Sequence, residues 1–311
     1  MWPNYRFEVP KEKRIRYIIH SDAKNEADDQ YTIAHALMTD KFDVKGIIAG
    51  HFDNSKTKRF APGETAKASY EEIEKIVHLM HLDGQYPILM GAPTGLPDEQ
   101  TPIESEGAKF IVKEAMKDDP RPLFIGMQGA ITDLASAILM EPKICERMTC
   151  IWIGGGAYPE GGQEFNLEQD INGVNVVLKS QMPFWQVTKT GYKQFTVTLA
   201  ELQCRVAPYG QIGKYLFEQM VEHNDRCAQN MRWPHGESWS LGDEGCVAVL
   251  LEEVGQTDIY TEIDAPIIGE DMKYLPGKSG RKIRVYHRLN ARLDLEDLYA
   301  KLQINFPQQD S

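Results

Sequence analysis

Cysteine is scarce: five thiols (Cys145, Cys150, Cys204, Cys227 and Cys246) stand among 311 residues, and no two have CxxC spacing. An odd, unclustered set argues against a disulfide framework or a cysteine-bound zinc, and fits reduced thiols in a cytoplasmic protein. Basic charge is also short, with 34 Lys and Arg against 46 Asp and Glu and a formal net charge of −12. Such a surface repels nucleic acid and anionic membrane, so neither is an expected partner. No apolar run is long enough to span a bilayer. Met1-Trp2-Pro3-Asn4-Tyr5-Arg6 offers no basic head followed by an apolar stretch, so no secretory signal is expected. Repeats, low-complexity tracts and linkers are missing too. Residues 1–311 therefore read as one domain, with 1–13 as a polar arm, long enough to bury a large core.

What the chain does have is alternation. Strand-type runs at Ile15–His20, Val44–Ala49, Pro87–Met90, Leu123–Met127, Met148–Ile153, Phe184–Val187, Ile259–Ile263 and Ile283–Tyr286 are separated by helical spacing. The helices are expected near Asp28–Thr39, Ser105–Met116, Thr132–Met140, Asn172–Lys179, Ile212–Met231, Asp243–Leu251 and Leu295–Leu302. Two more are expected to open with capping boxes, Ser69-Tyr70-Glu71-Glu72 and Thr198-Leu199-Ala200-Glu201. Alternating strands and helices predict an α/β fold with a mostly parallel central sheet and helices on both faces. Ligands of such sheets bind beyond the carboxyl ends of the strands.

One strand end stands out. Tyr17-Ile18-Ile19-His20-Ser21 runs into Asp22-Ala23-Lys24-Asn25-Glu26-Ala27-Asp28-Asp29, four acids in eight residues on a single strand-to-helix turn. Like charges a few ångströms apart repel, and a hard divalent cation held by carboxylate oxygens relieves that repulsion. The plainer alternative is that Asp28 and Asp29 favour the first helical turn through its dipole. Three further polar clusters fall at the same edge: Gln128–Asp133, Gly154-Gly155-Gly156, and the loop with Glu164 and Asn166.

Taken in order, these motifs resemble the inosine-uridine-preferring nucleoside hydrolase family. The acid cluster is similar to its Asp-x-Asp-Pro-Gly-x-Asp-Asp. Gly129-Ala130-Ile131-Thr132-Asp133-Leu134-Ala135 is similar to its Gly-x-Leu-Thr-Asn-x-Ala, and Gly154-Gly155-Gly156 with Glu164-Phe165-Asn166 to its Gly-Gly-Gly…Glu-Phe-Asn. Asp243, opening a late buried helix, is the fourth match, and the likeness covers most of residues 14–305. The resemblance implies a nucleoside-hydrolase-like (Rossmann-like) fold, one Ca²⁺ held by Asp22, Asp29, Asp243 and the carbonyl of Thr132, and hydrolysis of a ribonucleoside to ribose and base. It makes Asp22 the general base, gives Asp28 the 2′ and 3′ hydroxyls, and gives Glu164 and Asn166 the 5′ end. It also implies a small-molecule nucleoside partner and a homo-oligomer, dimer or tetramer. Read as residues alone, Asp243 is an ordinary helix N-cap, and Glu164-Phe165-Asn166 a loop whose Phe enters the core.

The departures matter as much. Two extra residues separate Asp22 from Asp28-Asp29, as in a variant branch, and Asn25 or Glu26 either adds a substrate contact or rebuilds the turn. His20 stands where an Asp is common, and Asp133 where an Asn is. Gly242 takes the place of a His that many relatives use to protonate the leaving base. His235 is the candidate substitute acid, and Trp233 and Trp239 either stack on the base or pack their segment down. Asp53 or Asn54, after the second strand, is the candidate for a pocket-lining polar residue. The reading is therefore a nucleoside hydrolase, with a hydrolase of a related riboside or glycoside, or a sugar-binding homologue without catalysis, as alternatives.

Overall fold

The computed structural model describes residues 2–52, 59–61, 63–229, 236–252, 259–277 and 280–308. Among these, the strands are β1 (Ile15–Ser21), β2 (Phe42–Ala49), β3 (Ile88–Met90), β4 (Leu123–Met127), β5 (Thr149–Ile153), β6 (Phe184–Val187), β7 (Thr196–Thr198), β8 (Ser238–Ser240), β9 (Tyr260–Asp264), β10 (Ile267–Ile268), β11 (Tyr274–Leu275) and β12 (Lys282–Tyr286). The helices are α1 (Asp29–Met38), α2 (Thr65–Leu79), α3 (Glu106–Ala115), α4 (Thr132–Met140), α5 (Phe165–Gln169), α6 (Ile171–Lys179), α7 (Lys189–Tyr192), α8 (Leu199–Arg205), α9 (Gly210–Ala228), α10 (Gly245–Leu251) and α11 (Ala291–Asn305).

Eight strands form one sheet in the order β3-β2-β1-β4-β5-β6-β12-β9. All pairings are parallel except β12 with β9. A parallel sheet is covered on both faces, and β1 accordingly buries every residue of Ile-Arg-Tyr-Ile-Ile-His-Ser. Its one cation, Arg16, is satisfied by the carbonyls of Glu114, Asp119 and Arg121. One face packs Tyr17, Ile19, Ile47 and Ile151 with side chains of α1, α2, α9, α10 and α11. The other packs Ile18, Ile125 and Trp152 with those of α3, α4 and α6.

The order places the chain's reversal between β1 and β4. From β1 the chain winds outward to β2 and β3, then returns to β4 on the opposite side and continues outward. The crevice beyond the carboxyl ends of β1 and β4 is thus the topological switch point, where open α/β sheets bind ligands. The acidic turn after β1 and the Gly129–Thr132 turn after β4 flank it.

Three expectations need correction. The Ser69-Tyr70-Glu71-Glu72 box does not open α2, which begins at Thr65; Ser69 lies buried inside the helix. Glu72 instead accepts from Lys24 Nζ at 2.6 Å, from Gln30 Nε2 at 3.1 Å and from the Tyr215 hydroxyl, which ties α2 and α9 to the acidic turn. The late helix does not start at Asp243. A 3-10 turn, Gly242–Glu244, precedes α10 and carries Asp243. The long helix begins at Gly210 and ends at Ala228. The second box holds, with Thr198 Oγ1 accepting from the Glu201 N–H at 3.1 Å.

Candidate active site

β1 ends at Ser21, so Asp22 is the first residue past the sheet and is 1% exposed. Six residues on, Asp28 precedes α1 and Asp29 opens it. Ser21 Oγ donates to Asp29 Oδ1 at 2.6 Å, and the Asp243 N–H donates to Asp28 Oδ2 at 3.3 Å. One carboxylate oxygen each from Asp28, Asp29 and Asp243 lie within 4.8 Å of one another. Asp22 joins them electrostatically: burial first, then Asp29, Glu26 and Asp28, push its carboxyl well above the usual range. Burial, then Asp28, Asp29 and Asp22, does the same to Asp243. Burial lifts Asp28 to about 6 against its backbone hydrogen bonds, and burial with Asp28 lifts Asp29 to about 8.

These shifts mean that the ionised cluster is strained without a positive charge. The donors present fit a hard divalent cation. All are oxygens, no Cys or His competes among the described residues of this cluster, and Asp22 Oδ2 is buried with no hydrogen-bond partner. Among the described residues Gly129 presses on this acid, since a Cβ there would stand 2.8 Å from Asp22 Cγ.

The other expected site residues distribute as follows. Thr132 begins α4, and its hydroxyl donates to Asp170 Oδ2 at 2.6 Å and meets His51 Nε2 at 3.0 Å. Glu164 is 4% exposed and caps α5: its Oε2 accepts from the N–H groups of Gly155 (2.8 Å) and Leu167 (3.0 Å), and its Oε1 from the Tyr192 hydroxyl (3.3 Å). It is near enough to Glu26 to contribute to that residue's raised pKa. Asn166 Nδ2 donates to the Ile153 carbonyl at 2.9 Å. Asn25 is half-buried; its N–H donates to the Asp22 carbonyl at 2.8 Å and its own carbonyl accepts from Arg59 at 2.7 Å, bonds that build the turn. Trp239 is 4% exposed on β8 and packed in the core, its ring near-perpendicular to His223 with the centroids 4.7 Å apart. Asp53, Asn54, Trp233 and His235 lie outside the described residues.

Two departures from the family pattern meet each other. His20 Nε2 stands 2.9 Å from Asp133 Oδ2, both fully buried, and Asp133 also accepts from Ser105 Oγ and the Ala92 N–H. Burial opposes ionisation of Asp133, but His20, Ser105 and Ala92 together hold it below the ordinary carboxylate range. The third departure has a structural partner too. A Cβ on Gly242 would stand 3.0 Å from Tyr192 Cδ2 and 3.5 Å from Asp28 Oδ2, so the Tyr192 ring lies where a side chain at 242 would project.

Tyr192 was not singled out in the sequence, and Ser21 and Gln128 entered it only as members of longer stretches, with no role of their own. Gln128, 1% exposed at the end of β4, has both amide atoms buried without a hydrogen-bond partner. Its place immediately before the Gly129 motif was the available signal. Tyr192 carried none, because nothing local ties a short helix after β6 to Glu164 or Gly242.

A model of the inosine-uridine preferring nucleoside hydrolase family matches residues 17–292. An inosine-uridine preferring nucleoside hydrolase of Leishmania major is 27% identical over 187 residues, 58% of this chain and 58% of that protein. A plant nucleoside hydrolase structure superposes with a TM-score of 0.68 at 16% identity, covering 93% of this chain and 98% of that one. An inosine-guanosine nucleoside hydrolase structure does so at 0.69 and 14%, covering 93% and 99%. The fold is therefore that of the nucleoside hydrolases, and with its family match running from β1 into α11 the chain belongs to the inosine-uridine preferring nucleoside hydrolase family.

Proposed function

We propose that this chain hydrolyses the N-glycosidic bond of a ribonucleoside to ribose and free base, with Ca²⁺ as cofactor. The observation that carries this reading is the convergence of Asp28, Asp29 and Asp243 within 4.8 Å, beside the unpartnered Asp22 Oδ2. Asp22, Asp29, Asp243 and the Thr132 carbonyl would hold the ion. When bound, it neutralises the carboxylates, binds sugar hydroxyls and makes a neighbouring water more acidic.

The chain's own groups do the rest. Asp22 Oδ2 takes the proton of the water that attacks the anomeric carbon. Asp28 keeps an oxygen for the 2′ and 3′ hydroxyls, with charge-assisted hydrogen bonds. As the bond to the base breaks, the sugar gains oxocarbenium character, and the surrounding carboxylates stabilise that positive charge. Glu164 and Asn166 would hold the 5′ end of the ribose, and the Gln128 amide, buried without a hydrogen-bond partner among the described residues, would supply a further polar contact.

Departure of the base is the weak link, because Gly242 provides no acid. That observation favours a second reading, a ribose-binding homologue without turnover. One experiment separates the two. The protein is incubated with a panel of purine and pyrimidine ribonucleosides, and reducing sugar is measured with and without a calcium chelator. Chelator-sensitive ribose release supports hydrolysis; calcium-dependent thermal stabilisation by ribose, without release, supports binding alone. Within the hydrolase reading, Gly129→Ala is expected to displace the Asp22 carboxyl and lower kcat about 100-fold without unfolding the protein. An unchanged kcat would remove Asp22 from the role of base.

A further inference from the structure

Behind the Gly242–Glu244 turn lies a second polar cluster that the reaction above does not use. His35 from α1, Glu244 from the turn and Asp294 from α11 each offer one ligand atom, all within 4.8 Å of one another, and all three side chains are fully buried. His35 Nδ1 stands 2.8 Å from Glu244 Oε2 and 4.0 Å from Asp294 Oδ1. On the opposite edge of the ring, Nε2 stands 3.0 Å from Asp297 Oδ2, and Asp297 is paired with Lys301.

Hydrogen-bond roles follow from these contacts. Burial raises the Asp297 carboxyl, but His35 and Lys301 more than offset it and hold it at about 2, so Asp297 stays ionised and accepts from the Nε2–H, which leaves the Nδ1 lone pair facing Glu244 and Asp294. Ligating imidazoles are commonly held in this way, by a carboxylate on the far nitrogen. Asp294 Oδ1 and Oδ2 and Glu244 Oε1 are buried and face no N–H donor among the described residues, and the two carboxyls lie close enough to share a proton between them. Glu244, Asp294 and Asp297 carry three negative charges when ionised, against the one positive charge of Lys301. Two charges remain to be neutralised, and leaving them buried is costly.

We propose that His35 Nδ1, Glu244 and Asp294 form a second divalent-metal site, one that takes a zinc-type ion and pins α1 and α11 to the turn carrying Asp243. One imidazole with two carboxylates suits zinc better than calcium, whose sites are built from oxygens. The competing arrangement is protonation, since burial pushes Asp294 up to about 8 and Glu244 well above the carboxylate range. Balance by protonation takes two protons, one in the His35–Glu244 contact and one between Glu244 and Asp294, whereas one divalent cation serves all three groups. Ligand distances of roughly 2.0–2.2 Å require the His35–Glu244 contact to open slightly. The inference is independent of nucleoside hydrolysis and survives if that reading fails.

The test is metal stoichiometry on the full chain, refolded with Zn²⁺ and freed of excess by gel filtration. Asp29→Asn serves as the background, so that the acidic turn does not contribute. One zinc per chain is expected in that background, with none after Asp294→Asn or His35→Gln is added. Asp297→Asn, at the half-exposed edge of the cluster, is expected to fold and to weaken zinc binding about 10–100-fold. A zinc-free Asp29→Asn protein, or undiminished affinity in the Asp297→Asn and Asp294→Asn variants, overturns the proposal in favour of shared protons.

Discussion

Asp29→Asn is expected to yield a folded protein that no longer binds calcium and has lost at least about a thousandfold of its kcat/KM. The magnitude follows from a cation's contribution of several kcal/mol to charge stabilisation, with each 1.36 kcal/mol worth about tenfold in rate. Folding survives because Ser21 Oγ can still donate to the remaining oxygen, as it does to Asp29 Oδ1. Removing one of several crowded acids also relieves repulsion in the metal-free protein, so its thermal midpoint rises. Asp22→Asn separates the roles within the same cluster: loss of the base lowers kcat by about 10²–10⁴-fold. The check pairs steady-state ribose release with calcium stoichiometry on each variant. Calcium retained at full occupancy by Asp29→Asn would sink the ligand assignment, whatever the rate.

The second large effect is on stability, and its sign is fixed by the raised carboxyls. Burial and like charge lift Asp29 and Glu26 to about 8, far above their values in an unfolded chain. In the chelated protein the native state therefore binds more protons than the unfolded state, and stability falls as pH rises toward 8. His35 and His51, which burial lowers to about 4, act in the opposite sense only below their unfolded value near 6.5. The window from pH 6.5 to 8 isolates the acids. There the metal-free midpoint is expected to drop with pH, and calcium to restore it increasingly, since the ion binds the ionised form. At a hundredfold excess over Kd the gain is about 2.7 kcal/mol, on the order of 4 °C in Tm for a chain of this length. Asp294 contributes to the same slope, also raised to about 8, but calcium at the acidic turn should not reverse its share. Differential scanning calorimetry with and without chelator across this window reads both. A metal-free midpoint that climbs from pH 6.5 to 8, or calcium protection that shrinks, contradicts the cluster's proposed state.

The site also shows how departures from a family pattern can be absorbed. His20 in place of an acid and Asp133 in place of an amide look like two losses when read singly. They are one contact, 2.9 Å long, across 113 residues of sequence, and each supplies what the other needs. Exchanging either residue alone leaves a buried polar group without its partner. Gly242 is likewise half of a pair, the other half being the Tyr192 ring.

Local chemistry was enough for the sequence to determine the alternation of strands and helices, the parallel sheet, the carboxyl-end location of the polar clusters and the family. Apolar runs, turn residues and motif order are all properties of neighbours along the chain, and they hold whatever the rest does. The tertiary structure alone decided which polar groups meet. It brought Asp243 to Asp28 across 215 residues, gave Glu72 to Lys24 instead of to a capping box, sent Trp239 into the core and set Tyr192 against Gly242. Those outcomes depend on burial and on distances through space, where a carboxylate's energy is set by what faces it and not by its neighbours in sequence.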